Sequence, residues 1–255
     1  MRFLILAALL CIGMSPPAGA VDVRLVYTDQ DTRPYLTGSG QEVPPRPGMA
    51  AELVQRCVDR LGGRLVLNRA PARRMGEDTK AGRYDGVLGF RYSPDRARDL
   101  VFPMRAGQPD SSRAAARLAH SIYRRQGENI VWDGRQIRGL QFPIAVSATM
   151  LVSQSLLAQG YDIVRIERSG QMFGMLARGR VDAVVTLDVI GDREMAMQTQ
   201  GAIEKLSPPV LVEDFHVPVS RQFYAANRDF TDQLWRLIGE LRDATYAELT
   251  PKYVF

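Results

Sequence analysis

Two stretches of this 255-residue chain read almost alike. One is Gly82-Arg83-Tyr84-Asp85-Gly86-Val87-Leu88-Gly89-Phe90, the other Gly179-Arg180-Val181-Asp182-Ala183-Val184-Val185-Thr186-Leu187-Asp188. Each opens on a glycine, the residue that most readily ends a helix, and passes through Arg and Asp into a short apolar run. A helix that stops at glycine and feeds a buried strand is the rhythm of a parallel α/β sheet. The weak match between the blocks suggests two domains of like plan. The first block leads into a polar turn carrying Arg91, Tyr92, Ser93 and Arg96, at the kind of strand end where open α/β sheets bind small molecules. Two such strand ends can face one another across one cleft.

The rest of the chain supports this plan. Val23 to Tyr27 reads as a β-branched strand, Met49 to Leu61 as an amphipathic helix ended by Gly62-Gly63, Arg64 to Asn68 as a strand, Pro71 to Lys80 as a helix, and Gly86 to Phe90 as a single buried strand. That order is β-α-β-α-β. After an extended exit through Val101, Phe102 and Pro109 the rhythm restarts. Strands are expected at Leu118 to Arg124, Gln141 to Val146, Asp162 to Ile166 and Val181 to Leu187. Helices are expected at Thr149 to Ala158, Gln171 to Arg178 and Val189 to Gln198. Val210 to Val212 and Phe223 to Asn227 read as extended. A closing amphipathic helix runs from Asp229 to Leu249, with Pro251 as its stop.

The first twenty residues differ from the rest. Arg2 precedes an apolar run from Phe3 to Met14, and Ala18-Gly19-Ala20 is a small-residue cleavage site. The run is short for a membrane span, so residues 1–20 read as a cleaved secretory signal. Its removal takes one unit, Arg2, from the formal net charge of +5, and takes Cys11 from the two cysteines. Cys57 then stands alone on a helical stripe, as a small buried hydrophobe. The arginines are spread along the chain rather than clustered, which argues against nucleic-acid binding. His120 and His216 are the only histidines and lie in no metal-ligand spacing. The chain also lacks G-x-S-x-G, Walker A and G-x-G-x-x-G sequences. No cofactor is expected.

The order of motifs resembles that of the periplasmic solute-binding proteins of the polar amino-acid transport type, family 3. The pieces are Thr32-Arg33-Pro34-Tyr35, the helix entry Gly48-Met49-Ala50 with Glu52, Pro71-Ala72-Arg73-Arg74, the Gly82 to Gly89 strand, Ser93-Pro94-Asp95-Arg96, Phe102-Pro103 and Gly179 to Ala183. The resemblance covers nearly the whole chain after residue 20. It implies two α/β lobes with a hinge, the type II periplasmic-binding-protein arrangement. Lobe 1 would be residues 21–108 plus 214–255, and lobe 2 residues 109–213. It further implies a periplasmic, monomeric protein that closes around a small anionic or zwitterionic metabolite and delivers it to the permease of an ABC transporter or to a sensor. A few proteins of similar type are dehydratases acting on arogenate or prephenate. For that alternative Glu52 or Asp188 could be offered as the catalytic carboxylate.

The same resemblance suggests a ligand-binding set. Arg96 occupies the place of the arginine that holds a ligand carboxylate, a job suited to the bidentate guanidinium; as a plain helix start, Ser93 and Pro94 would explain the turn equally. Thr149, in Ser147-Ala148-Thr149, matches a helix entry that receives an anionic group. Asp188 matches the carboxylate that receives a ligand ammonium, or is simply a helix cap. Tyr27, Tyr35 and Phe90 are candidate aromatic walls. Arg74 matches an arginine of the family, although Ala72 replaces the tryptophan expected beside it. Arg91 replaces a small hydroxyl residue. It points either to a ligand with a second acid or to one that is not an amino acid, or else to solvent.

Overall fold

The computed structural model describes residues 20–147, 152–166, 168–197 and 202–254. The segment read as a signal therefore lies outside the described residues, apart from Ala20, and so does Thr149. No helix among the described residues is long and apolar enough to cross a membrane.

The chain runs through β1 (Asp22–Thr28), α1 (Met49–Arg60), β2 (Arg64–Ala70), α2 (Ala72–Lys80), β3 (Gly86–Val87), β4 (Phe90–Arg91), α3 (Pro94–Asp99) and β5 (Leu100–Val101). A small hairpin follows, β6 (Met104–Arg105) with β7 (Gln108–Pro109). Next come β8 (Ala116–Arg125), a second hairpin of β9 (Val131–Trp132) and β10 (Ile137–Arg138), β11 (Ile144–Ser147), α4 (Val152–Ala158), β12 (Ile163–Ile166), α5 (Ser169–Ala177), β13 (Ala183–Leu187) and α6 (Asp188–Met197). The chain closes with β14 (Ile203–Lys205), β15 (Leu211–His216), β16 (Val219–Ser220), α7 (Arg221–Ala226) and α8 (Arg228–Val254).

These elements build two sheets. The first has the order β2-β1-β3-β16-β5, with β1 parallel to both β2 and β3. The second has the order β12-β11-β13-β8-β15-β4, with β14 also on β8. There β11 is parallel to β12 and β13, while β8 is antiparallel to β13 and β15. On one face of the first sheet, Leu25 and Tyr27 pack with Leu53, Val54 and Val58 of α1 and with Leu234 and Ile238 of α8. On its other face Val26 and Val87 pack with Met75 of α2 and with Phe90. The second sheet is likewise covered on both sides, by Val152 and Leu156 of α4 on one and by Met172 and Phe173 of α5 on the other. Burial on both faces is what parallel strands with crossover helices require.

The two near-repeated blocks do the same structural job in each sheet. The Asp85 carboxylate accepts from the Arg24 main-chain N–H at 2.8 Å and from its guanidinium, clamping β1 beside β3. The Asp182 carboxylate accepts from the main-chain N–H groups of Gln141 and Phe142, fixing the approach to β11 beside β13.

Three expectations need correction. Gly86 to Phe90 is not one strand. Gly89 adopts φ +92°, a left-handed conformation that breaks the run after Val87. Phe90 and Arg91 then pair with His216 and Phe215, at the edge of the second sheet. Residues 223–227 are not extended but fall largely within α7, because Ser220 caps that helix by accepting from the Phe223 N–H at 3.1 Å while Phe223 is drawn into the core. Pro251 does not stop the last helix. The final turn continues because Lys252 and Tyr253 both reach Glu52 of α1.

Candidate functional site

The turn after β4 is built around Arg96. Ser93 caps α3, its hydroxyl accepting from the Arg96 N–H at 3.3 Å, and Pro94 takes the first helical position. The short helix throws the Arg96 side chain back over β4. Its guanidinium carbon lies 4.2 Å from the centroid of the Phe90 ring, and Nη1 donates to the Arg91 carbonyl at 2.8 Å. Phe90 is itself buried among Met75, Leu100 and Phe102, so the ring is a fixed platform. Cation–π stacking plus one main-chain bond orients the guanidinium while leaving most of its donors unused. Partial burial and the neighbouring Arg91 charge both push the Arg96 pKa below its usual value. Among the described residues no acid is paired with it.

Arg91 has a different environment. It lines a cavity of about 410 Å³ with Tyr92, Pro109, Leu211, Glu213 and His216. Its Nη1 donates to Glu213 Oε1 at 2.8 Å. Glu213 is 8% exposed, and its other oxygen lies 3.5 Å from Nε2 of the buried His120. His120 and the Arg91 charge hold the Glu213 carboxyl below the usual carboxylate range, against the opposing effect of burial. Arg91 therefore does not point freely to solvent. Its charge is answered from within by a buried acid on β15.

Asp188 sits where β13 passes into α6. Its Oδ2 accepts from Lys205 Nζ at 2.7 Å, and Asp192, one turn further on, accepts from the same ammonium at 3.0 Å. Lys205 lies opposite Tyr123 in the β14–β8 pairing. The Tyr123 hydroxyl donates to Asp192 Oδ1 at 2.7 Å. The second oxygen of Asp188 is buried with no hydrogen-bond partner among the described residues. Tyr35 feels the Asp188 charge: burial first, and Asp188 second, push its hydroxyl up to about 12. Tyr35, in the β1–α1 loop, thus lies within electrostatic reach of Asp188.

The structure brings Arg91, Arg96 and Phe90 together, and it sets Tyr35 near Asp188. Tyr27 is placed elsewhere: it is fully buried in the core between β1, α1 and α8, with Arg69 over its ring at 5.2 Å. Arg74 is exposed on the first turn of α2, in a groove of about 330 Å³ with Pro71, Arg73 and Glu77. Glu52 is engaged by Lys252 and by Tyr253, whose hydroxyl donates to it at 2.5 Å. No group of histidine, cysteine and acidic side chains able to hold a metal occurs among the described residues. The sequence reading missed Glu213, His120 and Lys205. Glu213 and His120 left no distinct trace, because β15 also carries Asp214 and His216 and β8 also carries Arg117, Arg124 and Arg125. Their partners are set by sheet register and lie up to 122 positions away.

No family model and no curated protein sequence matches the chain. Several solved structures resemble it. The YckB protein of Bacillus subtilis shares 13% identity with a TM-score of 0.66, over 91% of this chain and 89% of that one. The L-cystine solute receptor of Neisseria gonorrhoeae, in its unliganded open conformation, shares 17% identity with a TM-score of 0.64, over 92% and 93% of the two chains. An ancestral cationic amino-acid solute-binding protein shares 16% identity with a TM-score of 0.60, over 92% and 96%. At such identities the likeness is one of fold. It agrees with the two sheets, their crossover helices and the strands that join them, so the chain has the two-lobe, type II α/β fold of the periplasmic solute-binding proteins.

Proposed function

We propose that this protein is a solute-binding protein. It closes two lobes on a small metabolite bearing a carboxylate, an amino acid or a related acid, and delivers it to an ABC transporter or a sensor at the membrane. On this reading residues 1–20 are a secretory signal and the mature protein works as a monomer in the periplasm. Residues 21–108 with 214–255 form the first lobe and residues 109–213 the second. The observation that carries the proposal is Arg96: a guanidinium oriented by an aromatic platform and a main-chain carbonyl, at a strand end, with no acidic partner among the described residues. A carboxylate supplies what it lacks, through two parallel charge-assisted hydrogen bonds. Hinge closure would then desolvate that pair and strengthen it.

A thermal-shift screen of amino acids and related carboxylic acids tests this. A ligand at about 100 times its Kd adds about 2.7 kcal/mol to stability, which for a chain of this length raises the melting temperature by roughly 5–10 °C. Arg96→Ala should abolish the shift and leave the ligand-free melting temperature nearly unchanged, because the side chain is largely exposed and, among the described residues, bonds a main-chain oxygen and a ring but no other side chain's polar group. A full ligand response in that variant would overturn the carboxylate-clamp assignment.

A further inference from the structure

The charges around the facing strand ends are unequally compensated. Three acids there already have a cation. Asp188 and Asp192 share the Lys205 ammonium at 2.7 and 3.0 Å. Glu213 has Arg91 at 2.8 Å. Arg96, by contrast, has no acid among the described residues. Lys205 holds Asp188 Oδ2, and Oδ1 is buried, so a ligand ammonium at Asp188 would have to compete with Lys205 for that carboxylate. Lys205 cannot easily swing aside. It is held by two acids at once, and its strand is paired to β8 through Ile203, Glu204 and Lys205 itself. The acids it touches are fixed in turn, since the Tyr123 hydroxyl bonds Asp192 and the Tyr123 ring fills the space against Gly191, between them on α6.

We propose that Lys205 is a specificity-determining residue: its ammonium stands where a ligand amine would go, so the cleft takes a carboxylic acid that carries no amine. This inference rests on the solute-binding reading above and narrows it from amino acids or related acids to the acids alone. The surplus positive charge at Arg96 fits a ligand of that class, because such a ligand brings a carboxylate and no cation. Arg91 does not extend the class to diacids, since Glu213 already supplies the acid that faces it.

The test compares 2-hydroxy acids with the amino acids of the same side chain: lactate with alanine, 2-hydroxyisocaproate with leucine, and phenyllactate with phenylalanine. Each is added to wild type and to Lys205→Met in a thermal-shift assay. The expected result for wild type is a rise of about 5 °C or more with at least one hydroxy acid and none with its amino acid. In Lys205→Met, Asp188 is freed and the matching amino acid should now produce a shift. An equal or larger response of wild type to the amino acid would overturn this inference while leaving the solute-binding reading intact. So would a Lys205→Met protein that discriminates as wild type does. The wild-type comparison needs no variant and decides the matter even if Lys205→Met fails to fold. In the wider screen described above, a response to an amino acid and to no amine-free carboxylic acid would overturn this inference alone, and a response to neither class would overturn both readings.

Discussion

At Gly191 a single hydrogen atom decides whether α6 can dock. A Cβ added there would lie 2.2 Å from the Tyr123 ring, far inside van der Waals contact. Tyr123 is itself fully buried, with its hydroxyl fixed on Asp192, so the ring cannot step back. Gly191→Ala should improve helix propensity by about 1 kcal/mol in isolation yet lower stability overall, by roughly 1–3 kcal/mol of overpacking. The expected drop in melting temperature is about 2–12 °C. Adding Tyr123→Leu should give less than the sum of the two single losses, because the clash and the lost ring share one space. Additive losses would show that Gly191 matters for another reason. Arg91 teaches a related lesson about what a sequence displays. The residue announces a positive charge in a binding turn, but only the sheet register reveals that Glu213 has already answered it.

Among the elements, those specified by near neighbours were legible and those specified by distant partners were not. The amphipathic stripe of α1, ended by paired glycines, carries its own boundaries, and the structure places the helix at Met49–Arg60. The long strands β1 and β2 announce themselves by β-branched and aliphatic residues. By contrast, α7 depends on one side chain. Ser220 ends β16 and caps the helix in the same stroke, its hydroxyl accepting from the Phe223 N–H. Replacing it by alanine should cost about 1 kcal/mol and lower the melting temperature by about 2–4 °C; Ser220→Asp, which can still cap, should recover part of the loss. No change in Ser220→Ala would mean that Phe223 burial alone holds the helix. The Pro251 turn was misread for the opposite reason. The sequence offers a helix stop, and contacts from Lys252 and Tyr253 to a residue some 200 positions away override it. The near-repeat was legible as structure and misleading as chemistry: its two aspartates clamp neighbouring strands in equivalent ways. The site beside it depends on Lys205 and Glu213, which no local pattern marks.

On the scale of the whole molecule, the passage between the two sheets concentrates ionisable groups in place of apolar packing. Strands β8 and β15, which run side by side, carry His120, Glu213 and His216, and β4 adds Arg91 at the edge. His216 is buried and its Nε2–H donates to the Asp110 carbonyl at 3.1 Å, leaving Nδ1 with no partner among the described residues. Burial holds its pKa below the ordinary histidine value. Protonation of the unfolded chain is therefore favoured over that of the folded one, and the stability His216 contributes is full above about pH 6.5 and is lost as pH falls through its lowered folded value. Glu213 follows the same sign at a lower pH. Its folded pKa is depressed, so its contribution is present above about pH 4.5 and disappears as pH falls below that. Acid should then weaken the protein in two stages, the first below neutrality and the second below the ordinary glutamate value. Melting temperatures taken across this range for wild type, Glu213→Gln and His216→Gln separate the two. Glu213→Gln should lower stability by roughly 1–2 kcal/mol near neutral pH, less than a fully buried pair would lose, because the partner Arg91 remains half-exposed and can return to water. That deficit should shrink as pH falls below about 4.5 and vanish only once pH has passed the lowered folded value, where the wild-type carboxyl is itself protonated, while the first stage persists. In His216→Gln the first stage should vanish and the second remain. A Glu213→Gln deficit that stayed constant from neutral to acid pH would mean that the side chain acts here through packing and not through its charge.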